Sequence, residues 1–450
     1  MASEAHESGR APRVAFIVYN DVHGDTRVLK IAKTLEAHGA TVRIFAASSE
    51  TGRYPDGLDR SLDGLQIFRL PTLPIQRAAR RVRGTSSTPP SARPTTSRPT
   101  STTPRAEQDR QTTARSLGSR MVGVSGAAYA VTMQWLFWRR IVRHVARWKP
   151  DVIHAHDANT LPAAARAAKK LPARLVYDSH ELWTDRNVVR PRPFRDWLDR
   201  RIEARGITAA DAVITVSPSI ANYLLEKYRL DELPVLVRNI PPYAGDVTPL
   251  GKLRGLARLD DTARVVAYCG SITTNRGIEA TISALDNLER DTHLVLLGEG
   301  QADYVASLRA HASTLGLTER VHFVGRVASS DVPATLADAD VSVVFTVPIC
   351  RSYLWSLPNK LFESIHAGIP IVASDLPDVA ALVAETGVGR TSPIDDDVVL
   401  ARTIEAVIAG SDAYREHARR AARTLNWQDE SDRLLGAYRR LIPWSNLDRA

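Results

Sequence analysis

Cysteine is nearly absent. Cys269 and Cys350 are the only two in 450 residues, too few for a disulfide framework. Such usage suits a reducing compartment. The opening residues, MASEAHESGRAP, contain no apolar run, so no secretory signal is expected there. The chain has no GxxxxGK[ST] loop, which removes P-loop chemistry. Gly298-Glu299-Gly300 comes nearest to GxGxxG but lacks the third glycine, so a dinucleotide enzyme finds little support.

What is present begins with size and charge. A chain of 450 residues outgrows one core and points to two or three domains. The net charge is +9, unevenly spread. Residues 76–120 hold ten arginines against Glu107 and Asp109, and Arg139, Arg140, Arg143, Arg147 and Lys149 follow without an acid. The rest of the chain is therefore net acidic. The basic stretch 77–149 should meet a local anionic partner.

This stretch has two parts. RGTSSTPPSARPTTSRPTSTTPRAEQ is Ser/Thr/Pro/Arg with almost nothing to bury, and reads as a loose insertion at about 84–118. Met121 to Trp138 is an uncharged, largely apolar run with a cationic tail. Three readings stand: a core helix of an α/β domain, an interfacial helix with arginines on anionic headgroups, and a transmembrane span diluted by Gly, Ser, Thr and Gln. Nucleic acid is not expected, because no aromatics interleave the arginines and no recognition fold is visible.

The remainder alternates β-branched runs with helical patterns, as parallel sheets with crossover helices do. RVAFIVYN, TVRIFAAS, LQIFRLP, DVIHAHD, RLVYDSHE, AVITVSPS and PVLVRN are the first strand series. Helical patterns such as DTRVLKIAKTLEAHG lie between, with Gly39 as a stop. Asn239 to Gly255, rich in Pro and Gly, reads as the interdomain linker. RVVAYCG, HLVLLGEG, RVHFVGRV, DVSVVFTV and IPIVASD form a second series. The fold class is α/β: two Rossmann-like doubly wound domains facing a central cleft. Ligands of such sheets bind at the carboxyl ends of the strands.

LPNKLFESIHAGIPIVASD carries the most chemistry. Pro358 suits a first helical turn, Leu361, Phe362 and Ile365 a buried stripe, and Gly368 with Pro370 the stop. Lys360 beside the positive end of a helix is unfavourable unless an anion sits there. Glu363, one turn on, can accept both hydroxyls of a ribose. An ordinary amphipathic helix with surface Lys and Glu is the plain alternative. YCGSITTNRGIEATI repeats the logic, with Gly270 ending a strand and Arg276 before the next helix. In VYNDVHGDTRV, Gly24 permits close backbone approach to a ligand, while Asp25 or Thr26 serves equally as an N-cap. His154, His156 and Asp157 fall at a strand end. They read as a metal site lacking further ligands, as cleft groups for substrate hydroxyls, or as structural histidines. His180 and Glu181 end the neighbouring strand.

The ordered set HGDTRVLKIAKTLEAHGATV, DVIHAHD, LVYDSHEL, ADAVITVSPSIANYL, YCGSITTNRGIEATI, LVLLGEG, RVHFVGRV and LPNKLFESIHAGIPIVAS resembles the retaining GT-B glycosyltransferases of family four. The resemblance covers nearly all of the chain except the insertion. It implies an acceptor domain over 1–242, a nucleotide-sugar donor domain over 243–425, and a last helix within 426–450 packing back on the first domain. It implies that Glu363 binds the donor ribose and that Arg276 and Lys360 neutralise the diphosphate. The backbone at Val324, Gly325 and Arg326 would face the base. Gly24, Gly270, Ser271, Asn359 and Leu361 would complete the donor site. His156 would lie near the transferred sugar, with Asp157, His180 and Glu181 on the acceptor side. The implied reaction moves a hexose-type sugar from a UDP- or GDP-sugar to a glycan or lipid-linked acceptor of the cell envelope. It is retaining and needs no metal or cofactor, and the leaving diphosphate takes the acceptor proton. The implied location is cytoplasmic, peripheral on the inner membrane face through 77–149.

Two positions depart from the family pattern. A glutamate often stands eight residues before Glu363, where this chain has Trp355, and an arginine often follows the strand-end glycine, where it has Ser271. A nucleotide-sugar epimerase and a catalytically silent nucleotide- or glycan-binding protein are the rival readings.

Overall fold

The computed structural model describes residues 10–48, 54–71, 131–187 and 193–444. The insertion at about 84–118 and residues 121–130 lie outside the described residues. The first sheet comprises β1 (Arg13–Ile17), β2 (Thr41–Ala47), β3 (Gly57–Asp59), β4 (Gln66–Leu70), β5 (Val152–His156), β6 (Arg174–Ser179), β7 (Ala212–Thr215) and β8 (Val235–Leu236), in the order β3-β4-β2-β1-β5-β6-β7-β8. The second comprises β9 (Arg264–Cys269), β10 (Thr292–Leu297), β11 (Val321–Gly325), β12 (Val341–Val344), β13 (Ile371–Ser374) and β14 (Gly389–Ser392), in the order β11-β10-β9-β12-β13-β14. Among the described residues only β3 and β4 pair antiparallel. Every run named as a strand in the sequence forms one. The polar edge strands β3 and β14 were not among them.

Both faces of each sheet are covered, so the strands lack alternation. Val14 and Phe16 face one cluster with Trp427, Leu434 and Tyr438, whereas Ala15 and Ile17 face another with Phe137, Ile141 and Val145. Residues 131–148 are therefore a core helix of the first domain. Among the described residues no helix is long and apolar enough to cross a membrane; the first ten residues of the run Met121 to Trp138 lie outside them.

The chain passes from the first domain to the second near Ile240 and returns near Trp427. The crossings touch: Trp427 N–H donates to the Pro241 carbonyl at 3.0 Å, and Tyr243 N–H to Gln428 Oε1 at 3.1 Å. The last helix, Trp427–Leu441, then lies on the first domain. Its buried Glu430 takes the Arg238 guanidinium at 2.8 and 2.6 Å and the Arg238 N–H at 2.7 Å.

Gly298 and Gly300 are glycines because backbone packs against them. A Cβ on Gly298 would lie 1.8 Å from the Gly270 carbonyl oxygen, and one on Gly300 would lie 2.2 Å from that of Ile272. These glycines let the loop after β10 press against the loop after β9. Gly298→Ala should cost about 3 kcal/mol or more in urea unfolding, because backbone must move. Gly436→Ala, at a half-buried position of the last helix where the Cβ meets nothing within 4 Å, should stabilise by up to ~1 kcal/mol.

Candidate active site

The order of the second sheet reverses between β9 and β12, which opens a crevice at their carboxyl ends. The helix Asn359–His366 points its N-terminus there because Leu361, Phe362 and Ile365 bury themselves in the core beneath. Pro358 is the N-cap rather than a first-turn residue, and Gly368 (φ 67°) stops the chain in the left-handed region. Lys360 turns inward. Its Nζ donates to the Phe345 carbonyl, just past β12, at 2.8 Å and lies 4.4 Å from the Tyr268 ring centre. Burial pulls the Lys360 ammonium down to about 7.

Glu363 sits one turn deeper, accepting a contact from Cys269 Sγ at 3.4 Å. Burial raises its carboxyl, against the opposing pull of Lys30 and Lys360. Arg276 makes long contacts to Thr346 Oγ1 (3.3 Å) and Tyr353 OH (3.5 Å), its guanidinium 4.8 Å from the Tyr353 ring centre. It precedes Gly277, whose φ of 67° and close approach to Phe345 admit no side chain. Lys360 and Glu363 from one helix and Arg276 from the loop after β9 thus converge.

All three line a cavity of about 430 Å³, which shares Cys269, Gly270, Ser271 and Glu363 as a common wall with a second of about 460 Å³. The first also takes in Asn359 and reaches His180 and Glu181 of the first domain. The second reaches His23, Gly24 and Arg326. Gly24 (φ 71°) has Arg326 Nη2 3.8 Å from where its Cβ would stand, so the two domains nearly touch across this cavity. The loop is held by Asp25, whose carboxylate caps the following helix at Val28 N–H, and by Asn20, which donates to Asp25 at 2.9 Å. Val22 beside it has a φ of 68°, costly for a β-branched residue and held in place by burial.

Some expected residues do not reach the cavities. Leu361 spends its N–H on the Pro358 carbonyl at 3.0 Å and its side chain on the core. Val324, within β11, packs half-buried against the core, and Gly325 ends that strand at a φ of 80°. His156 is 3% exposed and lines neither cavity, because even-numbered residues of β5 face the last helix rather than the cleft. It stacks on His154 at 4.3 Å.

The metal reading also changes. The group that assembles is His154, His156 and Asp178, not Asp157. Asp178 gives both oxygens to Arg27, at 2.8 and 2.7 Å, and His156 Nδ1 lies 3.3 Å from it. Arg27 holds the Asp178 carboxyl well below the usual range against the cost of burial. A cation already compensates that carboxylate, so the donor set does not suit a metal. His154 is anchored instead by Tyr438 OH at 2.7 Å.

His180 is the imidazole that faces the cavity, 3.2 Å from Asp157 Oδ1. Burial opposes its charge, but Asp157 and Asp178 outweigh that and raise it to about 9. Asp157 itself takes a left-handed φ of 63°. Trp355 points away from the cavity to Tyr223 of the first domain, ring centres 5.1 Å apart, and its carbonyl accepts from Ser217 Oγ at 2.7 Å. Sequence reasoning missed Tyr268, Cys269, Tyr353 and Ser356, which also line the first cavity. Position next to the strand-end Gly270 could have flagged the first two.

Known proteins fit this arrangement. The family profile Glycosyltransferase Family 4 matches residues 100–239, and Glycosyl transferases group 1 matches 263–411. A D-inositol 3-phosphate glycosyltransferase of Xylanimonas cellulosilytica is 25% identical over 64% of this chain and 71% of its own length. A phosphatidyl-myo-inositol mannosyltransferase of Mycobacterium leprae is 24% identical over 65% and 75%. The fold superposes on sucrose-phosphate synthase of Thermosynechococcus elongatus with a TM-score of 0.70 at 19% identity, covering 96% and 99% of the two chains. Anabaena HepE in complex with UDP gives 0.65 at 15% identity, covering 95% and 99%. Two doubly wound sheets, the converging Lys, Arg and Glu of the second and both profiles agree: the chain belongs to family four of the GT-B glycosyltransferases.

Proposed function

We propose that the protein transfers a hexose-type sugar, with retention of configuration, from a UDP- or GDP-sugar to a glycan or lipid-linked acceptor in envelope glycan or lipid synthesis. The observation that carries this is the convergence of Lys360, Arg276 and Glu363 on the first cavity, with Glu363 also on the wall it shares with the second. Glu363 accepts the ribose hydroxyls. Arg276 and Lys360, with the first turn of Asn359–His366, take the diphosphate, so departure of the nucleotide needs no metal or other cofactor. Arg326 closes the base end. Gly24, Gly270 and Ser271 let backbone approach the phosphates. His180 and Glu181 take the acceptor side, and His156 acts from behind through Asp178. The diphosphate oxygen takes the acceptor proton. The UDP complexes of Anabaena HepE and the lipid-linked substrate named for the mycobacterial relative support the donor and acceptor classes. The basic stretch 77–149 brings the enzyme from the cytoplasm to an anionic inner membrane face.

Thermal unfolding with UDP, GDP, ADP and CDP tests the donor half. One nucleotide at about 100 Kd should add roughly 2.7 kcal/mol, and no shift with any of them refutes the site. Incubating the matching nucleotide-sugar alone tests the rest. An epimerase converts it without acceptor, whereas this enzyme should release only a trace of free sugar. The outward turn of Trp355 keeps a silent binding protein in view: such a protein would show the shift and no transfer.

A further inference from the structure

The exposed aromatic side chains among the described residues all lie on two neighbouring helices of the first domain. Trp135 (44% exposed) stands on the 131–148 helix, and Phe194 (66%) and Trp197 (49%) on Pro193–Ile207. Arg195 donates to Gln134 Oε1 at 2.6 Å, which sets the first turns of these helices side by side. On 131–148, Trp135, Arg139, Arg143 and Arg147 recur every fourth residue and form the exposed face, opposite the buried Phe137, Ile141 and Val145. On the second helix Phe194, Trp197, Arg201 and Arg205 share an exposed face, while Asp199 and Glu203 are buried on the other side. Arg139 lies 4.7 Å from the Trp135 ring centre and Arg201 lies 4.3 Å from that of Trp197. Both helices therefore turn rings and arginines outward; the first carries no acid, and the second buries Asp199 and Glu203 and leaves Asp196 half-buried.

The place of this face also matters. The 131–148 helix leads into β5 and the second helix follows β6, so both begin at the carboxyl edge of the sheet. That edge carries His180 and Glu181, where the first domain meets the cavity.

We propose that this two-helix face docks on an anionic lipid bilayer, with Trp135, Phe194 and Trp197 in the interfacial layer and the arginines on headgroup phosphates. Charge complementarity selects that occupant. The claim goes beyond the basic stretch, because it assigns half of the contact to Pro193–Ile207 and makes the aromatic rings necessary. It does not depend on which sugar is transferred.

The test uses the full chain and two sets of vesicles, phosphatidylcholine alone and equal parts phosphatidylcholine and phosphatidylglycerol. Wild type should co-sediment with the anionic vesicles only. Trp135→Ser/Phe194→Ser/Trp197→Ser should lose at least tenfold in partitioning. Arg139→Gln/Arg143→Gln/Arg201→Gln/Arg205→Gln should lose more than ~100-fold, since each arginine near such a surface contributes about fivefold. All of these positions are on the surface, so unchanged thermal midpoints show that the variants are folded. The nucleotide-induced shift should survive in both, which separates failure of this proposal from failure of the donor site. Full binding by the aromatic variant would overturn the proposal and leave the basic stretch as the sole contact. So would wild type that ignores anionic vesicles, or a wild-type dimer that the aromatic variant converts to monomer.

Discussion

Glu363→Ala is expected to abolish the nucleotide-induced rise in melting temperature while leaving the ligand-free protein as stable as wild type or more so. The two halves have separate physical causes. In the free protein the Glu363 carboxyl is raised by burial, so its ionised form at neutral pH opposes folding. Its visible partner is a 3.4 Å contact from a thiol, a weak return for a buried charge. Alanine removes that cost. In the complex the same carboxylate accepts two hydroxyl hydrogen bonds, each worth roughly 1.5–3 kcal/mol when the acceptor is charged. Losing them lowers nucleotide affinity about 100-fold and cancels a shift of several degrees. Paired thermal scans with and without nucleotide measure both. A fall in the melting temperature of free Glu363→Ala protein would mean that the residue is structural. An undiminished shift would mean that the ribose binds elsewhere.

Lys360→Met should have the largest effect on turnover. Its ammonium faces the crevice between β9 and β12, where the leaving diphosphate is proposed to sit. Removing a preorganised charge at such a point costs about 2.7–4 kcal/mol, or 100- to 1,000-fold in kcat/KM. A pH signature separates this role from packing. Burial holds the free-state value near 7, against an ordinary lysine value of 10.5. A bound dianion raises it again. Nucleoside diphosphate affinity should therefore be complete below about pH 7 and fall up to tenfold per unit above it, until the bound-state value is reached. Lys360→Met should flatten that profile. Folding stability moves the opposite way. Between about pH 7 and 10.5 the unfolded chain holds the Lys360 proton that the folded chain has lost, so this lysine makes ligand-free stability rise with pH across that window. Nucleotide titrations at several pH values, with urea unfolding in parallel, test both signs.

The sheets were legible in the sequence because doubly covered parallel strands are continuous β-branched runs, as in RVAFI and IVAS. The edge strand GRTS was not, because a short polar segment acquires strand geometry only from its neighbour β13. In the site, Lys360 and Glu363 were legible because a cation at a helix start and a carboxylate one turn later have a local meaning. Arg27 was not. On the sequence it is one basic residue of an amphipathic helix, and only the fold sets it against Asp178, 151 positions away. His156 shows the opposite error: a strand-end histidine has two faces to choose from, and the last helix, from the far end of the chain, covers the one it took. The identity of Trp355 could be read, but its direction depended on Tyr223 of the other domain.

The paired crossings have a mechanical consequence. Two covalent strands side by side, tied by the Trp427–Pro241 and Tyr243–Gln428 hydrogen bonds, act as two pins on one line. One domain can swing about that line but not twist freely across it. Far from the pins, Ser219 holds Asp378 at 2.9 Å and Ser217 holds the Trp355 carbonyl at 2.7 Å. Opening about that line for a donor has to break these partly buried hydrogen bonds together with the Arg351–Asp185 ion pair and the Tyr223–Trp355 ring contact, and leaves the core of each domain intact.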